Sequence, residues 1–397
     1  MSEDPVEYRA GPIYMDYAAT SPVDPRVAAA MGECLTRTGI FGNPASQHLF
    51  GRRARARVEA ARAQVASLIG APAAQIIWTS GATESNNLAI LGTARAARAR
   101  LGARRPPHII TARTEHKAVL DPCRRLEQDG CLVNYLAPDA LGIIDPQQLR
   151  EAIGEDTVLV SLMHANNEIG VLQDIEGLGG VCRERGVPLH VDAAQSAGKV
   201  PIDLSNAPVD LLSLTAHKLC GPKGIGALYV SPQRRAELQP LMFGGGQERG
   251  LRSGTLAVHQ IVGFGLACEL CAAEGREESR RVAAMREQLW KGLESIGGTL
   301  LNGHPTRRVP GILNVSFPGI EGESLVAGLT ELALSTSSAC NSDSDEASYV
   351  LRALGRDEQT AQSSLRFSLG RFSADEEVGQ AVAAVRREVA RLRAVAP

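Results

Sequence analysis

The stretch PLHVDAAQSAGKVPIDLSNAPVDLLSLTAHK, residues 188–218, decides the fold. It holds two short apolar runs, residues 188–191 and 211–214, and polar residues follow each of them. Asp192 follows the first run, and Lys218 comes shortly after the second. Burying a charged group at the end of a strand is unfavourable unless it meets a partner or a ligand. The stretch therefore predicts two buried strands whose ends carry chemically active groups.

Apolar runs alternate with helical stretches on both sides of this segment. The candidate strands are residues 76–79, 108–111, 132–135, 157–163, 188–191, 211–214 and 225–230. The candidate helices include residues 83–100, 116–129 and 175–185. This alternation predicts an α/β fold with a mainly parallel seven-stranded sheet, covered by helices on both faces. Right-handed crossovers would place the carboxyl ends of all strands along one edge, where ligands bind.

The pattern changes after residue 240. A glycine-rich segment, residues 243–250, leads into a helix that begins at about residue 258. Beyond it lie charged helices at residues 274–293 and 374–394 and a short strand at residues 311–317. This mixture is typical of a smaller α+β unit.

The change of pattern divides the chain into two predicted domains. Residues 13–260 are expected to form the large domain, which would hold the site. Residues 1–12 and 261–397 are expected to form the smaller α+β domain. This second domain would carry a loop at about residues 335–347, which is rich in serine and other small polar residues.

Composition and charge exclude several classes of protein. The chain has 397 residues, of which 44% are hydrophobic and 22% charged, as in a globular protein with a large core. The formal net charge is −2, so the chain lacks the basic field of a nucleic-acid-binding protein. No apolar run approaches the roughly 20 residues that cross a bilayer, and the start of the chain is polar. We expect a cytoplasmic protein with no membrane and no nucleic-acid partner.

The cysteines do not form a disulfide framework. They are scattered over the chain at Cys34, Cys123, Cys131, Cys182, Cys220, Cys268, Cys271 and Cys340. In a reducing compartment we expect most of them to be buried thiols. Cys268 and Cys271 form a single CxxC pair without further ligands nearby, so we predict helix-packing thiols there and no metal site.

Asp192 and Lys218, at the ends of successive strands, fit two interpretations. One is a structural ion pair between them. The other is a pyridoxal phosphate site, in which the lysine forms a Schiff base and the aspartate pairs with the pyridinium nitrogen. Of the five lysines, Lys218 alone follows an apolar strand with hydroxyl and imidazole neighbours. The lysine distribution favours the cofactor site without excluding the ion pair.

Other strand ends supply groups that could bind a phosphate or a planar ring. The turn at residues 80–85 opens a predicted helix, so its backbone N–H groups and Thr83 could bind an anion, although an ordinary capped helix start has the same sequence. Thr215 and His217 flank Lys218 and could donate to the same phosphate. His116 opens another helix and could stack on a cofactor, although a lone histidine is more often structural.

These stretches together resemble cysteine desulfurases of the class V aminotransferase group, in the branch of the housekeeping iron–sulfur and nitrogen-fixation enzymes. The matching stretches are MDYAAT (15–20), FGNP (41–44), TSGATES (79–85), TEHKAV (114–119), NNEIG (166–170), HVD (190–192), GPKG (221–224), RSGT (252–255), SAC (338–340) and RFSLG (366–370). The resemblance covers nearly the whole chain. It implies the fold-type I architecture of pyridoxal-phosphate-dependent transferases.

The resemblance also implies a role for each matching residue around the cofactor. Lys218 would be the Schiff-base lysine, and Asp192 would keep the pyridinium nitrogen protonated. Gln195 would bond the phenolic oxygen, and His116 would stack on the ring. The phosphate would be held by Ala82, Thr83, Thr215 and His217.

Three further residues complete the implied site. Asn167 and Arg366 would bind the substrate carboxylate, for which the guanidinium fork of an arginine is suited, and Asn167 would also contact the cofactor. Thr255 would reach the phosphate of the partner subunit. The resemblance therefore implies a homodimer with composite sites.

Cys340 would be the catalytic nucleophile, together with Lys218 and His116 as the other catalytic residues. The enzyme would remove sulfur from L-cysteine, release L-alanine and hold the sulfur as a Cys340 persulfide. A sulfur acceptor or iron–sulfur scaffold protein would then take the sulfur for cluster assembly. Ser337 and Ala347, which bracket the loop, depart from the usual glycine and proline of the family.

Two other functions stay open at this point. A selenocysteine lyase or another pyridoxal-phosphate-dependent β-lyase could use the same fold, and a selenocysteine lyase could use Cys340 as well. A non-catalytic scaffold or binding protein could retain the fold without turnover. The presence of Lys218, Asp192, His116 and Cys340 argues against the scaffold.

Overall fold

The computed structural model describes residues 11–102, 104–336 and 347–395. Its strands are β1 (Ile13–Tyr14), β2 (Ile76–Thr79), β3 (His108–Ala112), β4 (Leu132–Leu136), β5 (Thr157–Met163), β6 (Leu189–Asp192), β7 (Leu211–Thr215), β8 (Gly226–Val230), β9 (Leu300–Leu301), β10 (Ile312–Ser316), β11 (Leu332–Ala333), β12 (Ser335–Thr336) and β13 (Ser364–Ser368). Its α-helices are α1 (Pro25–Gly32), α2 (Leu49–Leu68), α3 (Ala82–Leu101), α4 (Lys117–Gln128), α5 (Pro146–Ala152), α6 (Ile175–Arg185), α7 (Val258–Glu294), α8 (Gly322–Gly328), α9 (Tyr349–Ala353), α10 (Glu358–Gln362) and α11 (Asp375–Val395). None of these helices has both the length and the apolar character needed to cross a bilayer.

A seven-stranded sheet forms the centre of the described chain, in the order β2-β8-β7-β6-β5-β3-β4. The five strands β7, β6, β5, β3 and β4 are parallel to one another, which confirms the mainly parallel α/β sheet. The expectation that all strand ends lie on one edge was wrong for β8, which is antiparallel to both β2 and β7. Only ten residues join Thr215 to Gly226, which is too short for the helical crossover that a parallel strand requires.

Helices cover both faces of this sheet, as the apolar strands predicted. Successive residues of a strand point to opposite faces. In β2, Ile76 and Trp78 belong to the core that includes Val58 of α2 and Phe264 of α7. Ile77, between them, belongs to the core on the other face, built with α3 and α4. The two helical layers hold the ends of the strands at fixed positions, and the site is built there.

A second, four-stranded sheet has the order β12-β13-β10-β9, and its strand pairs are antiparallel. Its core also contains the last turns of α7, from Val282 to Leu293, and residues of α11. The first half of α7 belongs to the core of the large sheet instead. The predicted boundary between residues 260 and 261 thus falls at the start of a helix that serves both cores. The division into domains 13–260 and 261–397 stays a prediction.

The cysteines within the described residues are buried. Seven of the eight lie there, and each of the seven is a buried free thiol. Cys268 and Cys271 lie on α7 and pack into the core of the large sheet, as expected of helix-packing thiols. Burial raises the pKa of the Cys271 thiol to about 12, which keeps it protonated and unreactive.

Candidate active site

A cavity of about 780 Å³ opens at the edge where the parallel strands of the large sheet end. It lies between this edge and β13 of the second sheet, which contributes Arg366 to the wall. Ten residues that the sequence singled out line the cavity: Ala82, Thr83, His116, Asn167, Asp192, Gln195, Thr215, His217, Lys218 and Arg366. The loops that follow parallel strands lie along one edge of the sheet, so residues in these loops are expected to come together there.

Asp192 is the last residue of β6, and two donors orient its carboxylate. Asn86 Nδ2 donates to Oδ2 over 2.7 Å, and the backbone N–H of Ala194 donates to Oδ1 over 2.9 Å. Asp192 is only 6% exposed, so these bonds form in a medium where they are strong. The carboxylate is therefore held in one orientation at the cavity wall.

Lys218 ends a single 3₁₀ turn, Ala216–Lys218, that directly follows β7. Ser21 ties this turn to the N-terminal part of the chain, because its hydroxyl donates to the carbonyl of His217 over 2.7 Å. The ring of His217 in turn shares a hydrogen bond of 3.1 Å with the Thr20 hydroxyl. Burial and the nearby Lys218 lower the pKa of His217 to about 4, so the imidazole is neutral at physiological pH.

The N-terminus of α3 points into the cavity through Ala82 and Thr83. Its N-cap residue is Gly81, so no side chain caps the helix, and the first N–H groups have no intrahelical acceptor. Gly226 of β8 lets this turn approach closely, because a Cβ there would lie 2.6 Å from the Gly81 Cα. Backbone N–H groups and a helix dipole of this kind are suited to an anion.

His116 is the N-cap of α4, and the capping hydrogen bond orients its ring. The backbone N–H of Ala118 donates to His116 Nδ1 over 3.1 Å. A ring that accepts at Nδ1 carries its proton at Nε2 when it is neutral. Burial and the positive charge of Lys218 lower the pKa of His116, which favours this neutral form.

Both ends of the Gln195 amide are bonded. Its Nε2 donates to the carbonyl of Ala18 over 2.8 Å, and its Oε1 accepts from the Lys199 ammonium over 3.1 Å. Gln195 is 3% exposed and lies in the cavity wall. One N–H of the amide therefore remains for a ligand.

Arg366 lies on β13 opposite Asn314 and Ser335, and its guanidinium is buried. One terminal nitrogen donates to the backbone carbonyl of Asn167 over 2.9 Å, and the other pairs with Asp16 over 2.8 Å. Its Nε is buried and has no hydrogen-bond partner among the described residues. The arginine is thus held rigidly in the cavity wall.

A buried carboxylate, Glu168, lies beside this arginine. The Ser348 hydroxyl donates to Glu168 Oε2 over 2.5 Å, and Ser348 is also the N-cap of α9. Burial raises the pKa of Glu168 to about 7, while the Ser348 hydrogen bond and Arg366 partly oppose the shift. Glu168 therefore links the Asn167–Arg366 contact to the start of α9.

The two remaining predicted site residues are Thr255 and Cys340. Thr255 is exposed and does not line the cavity, so the prediction that Thr255 reaches the site of a partner subunit stays a prediction. Cys340 lies outside the described residues. The nearest described positions along the chain are Thr336 and Ala347, and Ser335, next to Thr336, lines the cavity.

The structure also adds residues that the sequence reasoning missed. Asp16, Asn86 and Lys223 line the cavity, and Lys199 bonds Gln195. A signal existed for Asn86, because it lies one turn after Thr83 on the same face of α3 and is polar at a buried position. No local signal points to Asp16, whose partner Arg366 is 350 residues away.

The mainly parallel sheet, the uncapped helix N-terminus and the lysine turn define an α/β protein with a polar cavity at the sheet edge. The family model for class-V aminotransferases matches residues 13–380 of this chain. The chain belongs to the class-V aminotransferase family.

Similar proteins agree with this assignment. A cysteine desulfurase IscS of Pectobacterium atrosepticum is 54% identical over 387 residues, which cover 97% of this chain and 95% of that protein. Among solved structures, a NifS-like protein has a TM-score of 0.88 at 35% identity and covers 96% of this chain and 100% of that one. A structure described as SspA in complex with cysteine has a TM-score of 0.81 at 38% identity, covering 91% of this chain and 100% of that one.

Proposed function

We propose that this enzyme is a pyridoxal-phosphate-dependent cysteine desulfurase that moves the sulfur of L-cysteine to Cys340 and releases L-alanine. The observation that carries the proposal is the convergence of Lys218, Asp192 and Arg366 on one cavity beside an uncapped helix N-terminus. These groups match, respectively, an aldehyde, a pyridinium nitrogen, a carboxylate and a phosphate. The similarity to cysteine desulfurases over nearly the whole chain supports the same reaction.

The residues of the cavity fit pyridoxal phosphate. The N–H groups of α3 at Ala82 and Thr83, with Thr215 and His217, would hold the phosphate. Asn86 Oδ1 is buried without a partner among the described residues, which is expected where a bound group is to complete the hydrogen bonding. When bound, pyridoxal phosphate supplies an electron-withdrawing ring that stabilises negative charge at the α carbon of an amino acid.

Two residues place and orient the cofactor ring in this proposal. Asp192, fixed by Asn86 and Ala194, would pair with the pyridinium nitrogen. The neutral imidazole of His116 would lie against the ring, since it is anchored at the start of α4. Both side chains are held by the protein before any ligand arrives, so little ordering entropy is lost on binding.

The carboxylate of L-cysteine would bind to Arg366 and Asn167. Arg366 lines the cavity, and its contacts with Asn167 and Asp16 fix the plane of the guanidinium. The similar structure in complex with cysteine supports this choice of substrate. Lys218 would then accept the proton from the substrate α carbon, because it follows β7 at the base of the same cavity.

Cys340 would take the sulfur. Its thiolate would attack the substrate sulfur and the bond between that sulfur and the β carbon would break. The β carbon would gain one proton and the α carbon would regain one, which gives alanine. L-cysteine plus one protein thiol thus becomes L-alanine plus one protein persulfide, with no outside oxidant. Ser335, five residues before Cys340 in the sequence, lines the cavity.

The partners of the enzyme belong to the same proposal. A homodimer would place Thr255 at the site of the partner subunit, since Thr255 is exposed and lies outside its own cavity. Exposed apolar residues support such an interface, including Phe41, Phe50 and Phe243, which is 84% exposed. A sulfur acceptor or iron–sulfur scaffold protein would take the persulfide sulfur in the cytoplasm for cluster assembly.

The experiment measures alanine and sulfide released from L-cysteine in the presence of a thiol reductant. We expect equal amounts of both from the native enzyme and neither from Cys340→Ala. Cys34→Ala, which removes a buried thiol that does not line the cavity, is the matched control and should retain activity. Full activity in Cys340→Ala would replace the proposal with a β-lyase that does not use this cysteine. A much higher rate on L-selenocysteine would favour the selenocysteine lyase.

A further inference from the structure

Lys199 contacts the cavity indirectly, through Gln195. Both residues lie in the helical turns that follow β6, where backbone bonds such as that from the Ala197 N–H to the Ala193 carbonyl shape the chain. Their spacing of four residues brings the two side chains together. The Lys199 ammonium donates to Gln195 Oε1 over 3.1 Å.

This bond decides which end of the amide faces the ligand. An ammonium can only donate and a carbonyl oxygen can only accept. If the Gln195 amide were reversed, its NH₂ would face the Lys199 ammonium, and its oxygen would face the carbonyl of Ala18. Both contacts would be repulsive in a buried place. Lys199 and Ala18 therefore keep an N–H donor, and not a carbonyl, available on the cavity side.

Lys199 has no carboxylate within salt-bridge distance among the described residues. Burial and the positive charge of Lys218 lower its pKa to about 8, and Cys220, Cys271 and Glu278 oppose the shift. A partly buried ammonium without an ion pair does not stabilise the fold by charge pairing. Its hydrogen bond to Gln195 explains its position better.

The backbone of Lys199 is fixed as well. The Ser279 hydroxyl of α7 donates to the Lys199 carbonyl over 2.8 Å. The long helix thus anchors the lysine, the lysine anchors Gln195, and Gln195 lines the cavity. Side chains that contact a ligand need such supporting bonds to hold their geometry.

We propose that Lys199 is a positioning residue that fixes the Gln195 amide so that its N–H donates to the phenolic oxygen of bound pyridoxal phosphate. This inference rests on the proposed function, since it assumes that Gln195 contacts that cofactor. Lys199 itself touches neither cofactor nor substrate in this account. It acts through Gln195, so its effect must vanish when Gln195 is removed.

The test is a double-mutant cycle on the full-length enzyme. The dissociation constant of pyridoxal phosphate is measured for the native enzyme, Lys199→Met, Gln195→Leu and the double variant. We expect Lys199→Met to weaken binding about tenfold in the native background and less than about twofold in the Gln195→Leu background. Equal effects in both backgrounds, or no effect in either, would overturn the inference.

Two further variants separate positioning from a general loss of structure. Lys199→Arg retains a charged donor and should restore most of the affinity, whereas Lys291→Met removes an exposed lysine on α7 and should change nothing. The pH at which the visible band of the bound cofactor changes should shift in Lys199→Met and not in Lys291→Met. If Lys199→Met does not fold, Lys199→Gln in both backgrounds provides the same comparison.

The outcomes of these measurements separate the role of Lys199 from the proposed function of the enzyme. If the native enzyme binds no pyridoxal phosphate, the proposed function fails. If the native enzyme binds the cofactor and Lys199→Met weakens binding equally with and without Gln195, only the role of Lys199 fails.

Discussion

Two regions of the molecule build the cavity in different ways. The sheet-edge region consists of Asp192, Gln195 and Lys218, each within a few residues of a strand end. The β13 region consists of Arg366 and its contacts, Asp16 and Asn167, which come from widely separated parts of the chain. The comparison shows that strand ends can be located from local sequence, whereas the β13 region exists only once the two sheets have packed.

The comparison also explains what the sequence could predict. The apolar run at β5 was predicted with its observed bounds, Thr157–Met163, because a strand buried on both faces reads as a continuous apolar segment. The predicted direction of β8 was wrong. The residue pattern of a strand is the same in either direction, and the direction of β8 is set by the ten-residue connection after β7. The position of Arg366 in the site came from the family resemblance, and its ion pair with Asp16 had no local signal.

The electrostatic details were the least predictable part. The residues before Asp192 in the sequence predict that it ends a strand. The hydrogen bond by which Asn86 orients its carboxylate depends on how α3 packs against the sheet. Glu168 lies in a matching stretch of the sequence, yet its burial beside Ser348 requires the fold.

The largest effect is expected in the sheet-edge region. Lys218→Ala should lower the rate of alanine formation by at least about 1000-fold, because it removes the only group proposed to accept the α proton. The measurement is alanine released per enzyme under saturating L-cysteine. Lys291→Ala, on the exposed face of α7, is the control. Activity of Lys218→Ala within tenfold of the native enzyme would show that another base acts.

A smaller effect of a different kind is expected in the β13 region. Arg366→Gln should lower kcat/KM for L-cysteine by about 100-fold, since the substrate carboxylate loses a charged hydrogen bond and Asp16 loses its partner. Most of the change should be in KM. Binding of pyridoxal phosphate should stay within about twofold of native, because Arg366 belongs to the other region. A loss of cofactor affinity equal to the loss in kcat/KM would remove the distinction between the regions.

A substitution that acts through Asp192 should lower the affinity for pyridoxal phosphate more modestly. Asn86→Leu removes one of the two donors to the Asp192 carboxylate and should weaken pyridoxal phosphate binding by about tenfold. Asn87→Leu, at the next position of α3 and outside the cavity lining, is the matched control. Equilibrium titration of the apo enzyme with the cofactor makes the measurement. Equal affinities in the two variants would mean that Asn86 does not position Asp192.

The smallest effect concerns the stability of the β13 region as pH changes. Glu168 has a folded pKa of about 7, against an ordinary value of 4.5, so the folded protein retains a proton that the unfolded chain loses. The buried carboxylate therefore lowers stability progressively as pH rises from about 4.5 to about 7, and by a constant amount above that. Glu168→Gln keeps an acceptor for Ser348 and lacks this titration.

We expect the melting temperature of Glu168→Gln to rise relative to the native enzyme by about 1–3 °C between pH 5 and pH 8. Differential scanning calorimetry at several pH values makes the comparison, with exposed Glu176→Gln on α6 as the control. A difference that stays constant, or that falls as pH rises over this range, would mean that Glu168 does not titrate as described.

The central claim is that the cavity delivers the sulfur of L-cysteine to Cys340. The most direct measurement treats the enzyme with L-cysteine in the absence of reductant and locates the added sulfur by peptide mass spectrometry. The account predicts one extra sulfur atom on the peptide that contains Cys340, and one alanine released for each such sulfur. Alanine or pyruvate released with no sulfur on Cys340, or sulfur on another of the cysteines instead, would contradict it.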